Sequence, residues 1–277
     1  MPFVSTKSKD LIREQYDKNI IKEVSQQKKK ALIYFGLPGW RMLDVLCWKD
    51  YLEKIIAVER NEEYRHFLLT TAFHNNLDAQ LQLLGGDIDD SLINGRDDFG
   101  TPFAEQTFDL VNLDYEGGIF YKDLKGDSKR INAIKKLLER QSIGKRDFLL
   151  LSTFNSRNRD EKEFDSTLDT IHSVLASYRI DSTDAIKWYK NARYDFKIKI
   201  YFLYVLGRIA SGNRFSCSFH PPVTYQGSSK IRMVHFACLF NYSEHVVAPE
   251  QSLTKILNLS MLEISGSKLK KCTTPEI

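Results

Sequence analysis

The stretch Ala31-Leu32-Ile33-Tyr34-Phe35-Gly36-Leu37-Pro38-Gly39 decides the fold of this 277-residue chain. Its apolar part, residues 31–35, predicts a short buried strand, and Gly36 ends that strand in a tight turn. A helical pattern follows from Trp40 to Trp48. A buried strand that passes through a glycine turn into a helix is typical of the first unit of a parallel α/β sheet.

The same alternation of strand and helix continues along the chain. Further apolar runs predict strands at residues 54–59, 79–84, 108–114 and 147–153. Helical patterns separate these runs, and the predicted helices include residues 61–74, 127–141 and 161–178. Parallel strands need long crossover connections, so strands that alternate with helices predict a parallel sheet.

The last third of the chain has a different pattern. Two β-rich runs, 214–225 and 231–242, flank a polar turn, and Pro221-Pro222 interrupts the first run. This pattern predicts an antiparallel hairpin at the edge of the sheet. We therefore expect an α/β fold with a doubly wound, mostly parallel seven-stranded sheet and a C-terminal antiparallel hairpin.

Composition and charge are those of an ordinary globular protein. Hydrophobic residues make up 42% and charged residues 27%, and the net charge of +4 permits a nucleic-acid partner. No apolar run approaches the roughly 20 residues that cross a bilayer, and residues 1–30 lack the apolar core of a signal peptide. We expect a soluble, cytoplasmic protein without membrane contact. Its parts are an N-terminal helical extension (1–27), one large domain (28–245) and a C-terminal tail (246–277).

Neither the cysteines nor two of the basic clusters are predicted to form a functional site. The four cysteines show no CxxC pair and no metal-ligand spacing, so we expect reduced thiols and no metal site; they are Cys47, Cys217, Cys238 and Cys272. The basic clusters at 28–30 and 268–271 are read as solvated surface.

The carboxyl ends of the predicted parallel strands are where a ligand would bind. Gly36 and Gly39 allow a tight turn and a close approach of backbone to ligand. Glu59 ends the second strand and could accept hydrogen bonds from both ribose hydroxyls of an adenosine. Asp87 follows the third strand and could reach the exocyclic amine of an adenine.

A further polar group ends the fourth strand, in the run Asn112-Leu113-Asp114-Tyr115-Glu116-Gly117-Gly118. A carboxamide, a carboxylate and an aromatic ring suit an amine that is held for attack. A purely structural turn with a capping Asp114 and a rim Tyr115 remains the alternative.

The order of elements over about residues 28–245 resembles the class I S-adenosylmethionine-dependent methyltransferases. In that family the last two of seven strands form a hairpin, and one of them is antiparallel to the rest. Phe35, Gly36 and Gly39 look like the family's glycine loop, Glu59 like its ribose acid, and Asp87 like its adenine-contacting acid. The resemblance therefore implies S-adenosylmethionine as the cofactor.

The resemblance also covers the residues expected beside the methyl acceptor. Asn112 to Tyr115 has the spacing of the (Asn/Asp)-Pro-Pro-(Tyr/Phe) motif of amine methylases that act on nucleic acids, without the two prolines. The segment 114–117 is also similar to the Asp-Pro-Phe-Gly segment of tRNA guanosine methyltransferases. The resemblance implies catalytic roles for Asn112, Asp114 and Tyr115. Asn112 would also contact the cofactor, and Tyr115 would stack on an acceptor base.

A nucleic-acid base is the favoured acceptor, because the charge is mildly basic and aromatic residues make up 12% of the chain. Arg157 and Arg159 follow the fifth strand and are expected to meet phosphates of that acceptor. The segment 221–225 could line the acceptor cleft. His220 and His235, on the hairpin, are read as strand residues rather than ligands.

Two other functions remain open. A catalytically silent methyltransferase-like scaffold that binds a partner is compatible with the departures of the glycine loop. A nicotinamide-dependent oxidoreductase on a similar sheet is disfavoured, because residues 36–39 form GxxG rather than GxGxxG.

Overall fold

Strands and helices alternate along the chain. The computed structural model describes residues 6–115, 117–121, 128–156, 193–227, 231–245, 255–256, 259–266 and 268–272. The helices are α1 (Lys7–Leu11), a π-helical segment (Ile12–Asp17), α2 (Lys18–Lys28), α3 (Leu43–Trp48), α4 (Glu62–His74), α5 (Ile88–Asn94), α6 (Lys129–Ile143) and α7 (Tyr194–Gly212). The strands are β1 (Leu32–Gly36), β2 (Leu52–Glu59), β3 (Leu81–Gly85), β4 (Leu110–Asp114), β5 (Phe148–Asn155), β6 (Phe215–Phe219), β7 (Val223–Gln226), β8 (Arg232–Tyr242), β9 (Leu262–Ser265) and β10 (Lys268–Lys271). The helix predicted at 161–178 lies outside the described residues.

One sheet contains all these strands. Its order is β10-β9-β7-β8-β5-β4-β1-β2-β3, and β6 also pairs with β8. Strands β1 to β5 are parallel, and β8 runs antiparallel to β5 along the whole of β5. The predicted α/β fold, with a parallel core and an antiparallel end, is confirmed.

The number of strands differs from the predicted seven. The predicted sixth strand is two strands, β6 and β7, which pair with different parts of β8. Pro221 and Pro222 separate them, because proline has no N–H for the ladder. The predicted C-terminal tail adds β9, which is parallel to β7, and β10, which is antiparallel to β9. The lysines of β10 are exposed, as is common on an edge strand.

Helices cover both faces of the sheet. Successive residues of a strand point to opposite faces, so Tyr34 packs with α2, α3 and α4, whereas Phe35 packs with α5, α6 and α7. Every residue of β5 is buried, since it lies in the middle of the sheet. The sheet is therefore doubly wound, and both of its faces are closed by apolar cores.

Two lysines of the basic cluster at 28–30, which was expected to be solvated, pair with a buried carboxylate, and Lys29 is exposed. The amines of Lys28 and Lys30 lie 3.1 and 2.7 Å from the buried carboxylate of Asp109, and Nε of Arg146 lies 3.1 Å from it. Burial alone would raise the pKa of Asp109, but hydrogen bonds from Lys30, Ile33 N–H and Lys28 hold the pKa below its ordinary value. These cations neutralise an acid at the start of β4.

The four cysteines are free thiols. Within the described ranges, no helix is long and apolar enough to cross a membrane.

Candidate functional site

The glycine turn after β1 lies directly against β4. Gly36 pairs with Asn112, and a Cβ on Gly36 would lie 2.1 Å from the Asn112 carbonyl oxygen. The N–H of Leu37 donates to the same oxygen at 3.0 Å. Gly39 has a left-handed φ of +63°, and a Cβ there would meet nothing within 4 Å. Position 36 therefore requires glycine, because any side chain would clash with the backbone of β4. Gly39 turns the chain, and the space next to its Cα is open.

The two predicted adenosine acids lie at the ends of neighbouring strands. Glu59 pairs with Gly85 across β2 and β3, and its Oε1 accepts the N–H of Asn61 at 2.8 Å. Asp87 caps α5, because its Oδ1 accepts the N–H groups of Asp89 and Asp90. The Lys129 amine lies 3.1 Å from the same oxygen. In the described part of the chain, each of these contacts uses a single carboxylate oxygen of its acid.

Phe99 joins this end of the site, and the sequence analysis did not identify it. Its ring is 72% exposed and occupies the place of a Cβ on Gly85. Asp97 positions the loop, because its carboxylate accepts the N–H groups of Gly85, Phe99 and Thr101. The turn residues Asp97-Asp98-Phe99-Gly100 were a signal for such a loop. Phe35, by contrast, is fully buried and stacks on Phe108 at 4.4 Å.

Asn112 and Asp114 point to the same face of the sheet, and the N-terminal helices lie against them. Asn112 donates from Nδ2 to Asp44 at 3.0 Å, and Arg13 donates from Nε to the other oxygen of Asp44 at 2.5 Å. The Lys9 amine lies 2.5 Å from Oδ2 of Asp114. Among the described residues, Oδ1 of Asp114 is buried without a hydrogen-bond partner.

Tyr115 points to the opposite face. Its ring is 4% exposed, stacks on Phe154 at 5.5 Å and carries the Arg130 guanidinium 4.2 Å from its centre. Its hydroxyl donates to Asp89 at 2.6 Å. The predicted stacking of Tyr115 on an acceptor base would require Arg130 or Phe154 to leave the ring. The predicted phosphate contacts Arg157 and Arg159 lie outside the described residues.

A buried polar chain crosses the end of β5 and β8. Thr153 pairs with His235 across the strands, and the Thr153 hydroxyl lies 2.9 Å from Nδ1 of His235. Nε2 of His235 lies 2.8 Å from Oδ1 of Asp17. Burial alone would lower the pKa of His235, but Asp17, together with the carboxylates of Asp114 and Asp44, holds the pKa above its ordinary value. His235 is therefore more than the plain strand residue that its position suggested.

A small cavity lies between these groups and the N-terminal helices. Its volume is about 30 Å³, and its lining includes Asp17, Asp44, Asp114, Lys9 and Arg13. This volume holds a water molecule or two but no separate acceptor molecule. In the described parts of the chain, no three His, Cys, Asp or Glu side chains are grouped to hold a metal ion.

The π-helical segment forms part of the wall of this cavity and, with α1, covers it. The carbonyl of Arg13 accepts the N–H of Lys18, five residues on, and also the indole N–H of Trp48 at 3.1 Å. Tyr16 donates to the carbonyl of Pro221 at 2.7 Å. Such insertions in α-helices occur often at functional sites. Here the segment places Arg13 and Asp17 over the ends of β4 and β5.

The structure is similar to known methyltransferases. A proposed RNA methyltransferase from Pyrococcus horikoshii is 10% identical with a TM-score of 0.42, over 88% of this chain and 92% of that one. An O-methyltransferase family protein from Burkholderia thailandensis is 9% identical with a TM-score of 0.37, over 86% and 59%. An S-adenosylmethionine-dependent methyltransferase from Clostridium acetobutylicum is 16% identical with a TM-score of 0.35, over 51% of each chain.

No protein-family model matches the sequence, and no curated protein matches it. At these identities and TM-scores the solved structures do not identify the function of this chain.

Proposed function

We propose that this chain binds S-adenosylmethionine across the carboxyl ends of β1, β2 and β3 and transfers its methyl group to an amine acceptor. The observation that carries the proposal is the strand order, in which β1 lies between β2 and β4. The chain order reverses there, and open α/β sheets bind ligands in the crevice at such a point. Gly36 and Asn112 pair across it.

The residues at the crevice fit an adenosyl ligand. Gly39 leaves open space above the turn. Glu59 and Asp87 would accept hydrogen bonds from the ribose hydroxyls and the adenine amine. Phe99 is exposed, and its ring, with the Arg65 guanidinium 5.3 Å from its centre, would offer the adenine an apolar contact. When bound, this cofactor supplies an electrophilic methyl group on a sulfonium.

The end of β4 would hold the acceptor. Asn112 donates one N–H of its Nδ2 to Asp44, and its side-chain carbonyl oxygen is the group that would accept a hydrogen bond from an acceptor amine. The carboxylate of Asp114 would stabilise the positive charge that develops on the attacking nitrogen. Alignment of the acceptor by these two groups would supply much of the rate enhancement.

A nucleic-acid base is a narrower proposal for the acceptor. Its support is the net charge of +4; the spacing of Asn112 and Tyr115 does not add to it, because these two side chains point to opposite faces of the sheet. Lys28 and Lys30 do not add to it, because they pair with Asp109. The expected test is methyl transfer from labelled cofactor to total RNA, with a protein mixture as the comparison acceptor.

Calorimetric titration with S-adenosylmethionine tests the cofactor proposal. Glu59→Ala should weaken binding at least about tenfold, because a hydrogen bond to a charged group contributes about 1.5–3 kcal/mol. Glu63→Ala removes the same charge from an exposed position on α4 and should leave the affinity unchanged. Equal affinity of the wild type and Glu59→Ala would refute the ribose role.

A silent scaffold is the second candidate. The pairs Lys9–Asp114 and Arg13–Asp44 occupy the acceptor side and leave only a small cavity. If the titration shows no binding at about 1 mM cofactor, the scaffold is favoured and methyl transfer is excluded.

A further inference from the structure

The amine of Lys9 lies where the proposed function places the acceptor amine. Its Nζ is 2.5 Å from Oδ2 of Asp114, and the side chains of Lys9 and Asp114 are 13% and 16% exposed. Asn112 lines the same cavity. The second oxygen of Asp114 is buried and unpartnered within the described residues, so the carboxylate can accept a further hydrogen bond.

The backbone holds Lys9 at this place. Thr6 caps α1, and its hydroxyl accepts the N–H of Lys9 at 3.2 Å. Lys9, Arg13 and Asp17 follow one another at four-residue intervals, so they share one face of the helix. Arg13 and Asp17 are paired with Asp44 and His235. This lysine is therefore positioned by three successive ion pairs, unlike a solvated surface lysine.

We propose that Lys9 is an intramolecular methyl acceptor, so that the chain methylates its own N-terminal helix. The inference rests on the proposed function, because it uses the same cofactor and the same Asn112 and Asp114. It adds a modification site and the chemical class of the acceptor, an aliphatic primary amine.

The methyl group would move from the sulfur of the cofactor to the nitrogen of Lys9. The Lys9 ammonium first loses a proton to solvent. The nitrogen lone pair then forms the bond to the methyl carbon as the bond from carbon to sulfur breaks. The products are S-adenosylhomocysteine and a protonated N-methyl-lysine, and the positive charge has moved from sulfur to nitrogen.

Incubation of the pure full-length chain with trideuteromethyl-labelled S-adenosylmethionine tests the inference. Intact mass and peptide mapping should show labelled methyl groups on Lys9. The first-order rate constant should not change with protein concentration, since the transfer is intramolecular. Methyl groups already present at Lys9 after expression are mapped beforehand and should be lost in Asp114→Asn.

Matched variants make the assay specific. Lys9→Arg keeps the charge that faces Asp114 and should lose the label. Lys7→Arg changes an exposed lysine on the same helix and should keep it. A chain that binds the cofactor by calorimetry but carries no label on Lys9 would overturn the inference. So would equal labelling of Lys7, or a rate that rises with protein concentration. A chain that binds no cofactor refutes the proposed function itself, and the inference with it.

Discussion

The ion pair between Lys9 and Asp114 should contribute measurably to stability. We consider Lys9→Met, Asp114→Asn and the double variant, because the coupling energy of such a cycle isolates the pair. Two unit charges about 4 Å apart attract by about 4 kcal/mol at an effective dielectric of about 20. Both side chains are mostly but not fully buried, so solvent screening places the pair between this value and the roughly 0.2–1 kcal/mol that is typical of exposed pairs. The cost of desolvating each charge appears in the single variants and cancels from the cycle. The expected coupling is about 2 kcal/mol.

Urea unfolding followed by tryptophan fluorescence measures this coupling. Trp48 is a suitable probe, since its indole donates to the carbonyl of Arg13 in the N-terminal helix. The pair Lys145–Glu244 is the matched control, because its atoms are 2.8 Å apart but both side chains are exposed. Its coupling should be much smaller and should vanish at high salt. A coupling below about 0.5 kcal/mol for Lys9 and Asp114 would refute the placement of Lys9.

Three further outcomes are expected. Gly36→Ala should destabilise the fold by at least about 3 kcal/mol, because its Cβ would lie 2.1 Å from the Asn112 carbonyl oxygen; wild-type thermal stability would contradict this. Asp114→Ala should abolish methyl transfer while calorimetry shows nearly unchanged cofactor affinity, and retained turnover would remove Asp114 from catalysis. Burial raises the pKa of Asp89 to about 6, so between about pH 4 and pH 6 this carboxyl is protonated more in the folded than in the unfolded state. The free energy of unfolding therefore falls as the pH rises through this window. Asp89→Asn should therefore gain stability relative to wild type over that window, by up to about 3 kcal/mol, in unfolding measured across pH; a constant difference would contradict the shift.

The direction of Tyr115 was within reach of sequence reasoning. Side chains alternate along a strand, so Asn112 and Asp114 share one face while Leu113 and Tyr115 share the other. The structure shows this division, since Leu113 and Tyr115 lie in the core beneath α5 and α6. Motif spacing alone grouped Tyr115 with Asn112 and Asp114, because it compared positions along the chain and not the faces to which they point.

The contacts between the N-terminal helices and the ends of the strands could not be predicted from the sequence. Asp17 and His235 are 218 residues apart, and Lys9 and Asp114 are 105 apart. No local pattern links such positions. Their contact depends on how α2 packs, through Ile21 and neighbouring apolar residues, on one face of the sheet.

The sequence by itself determined the alternation of strand and helix, the glycine turn and the polar residues at the strand ends. Apolar runs, helical periodicity and glycine are local signals, and parallel connection brings the carboxyl ends of strands to one edge. Only the tertiary structure decided which partners those polar residues have. The π-helical segment and the packing of α2 on the sheet position the N-terminal helices. This position brings the amine of Lys9 to the carboxylate of Asp114. Partner choice at the site is thus a property of long-range packing, which a single sequence does not encode in any local pattern.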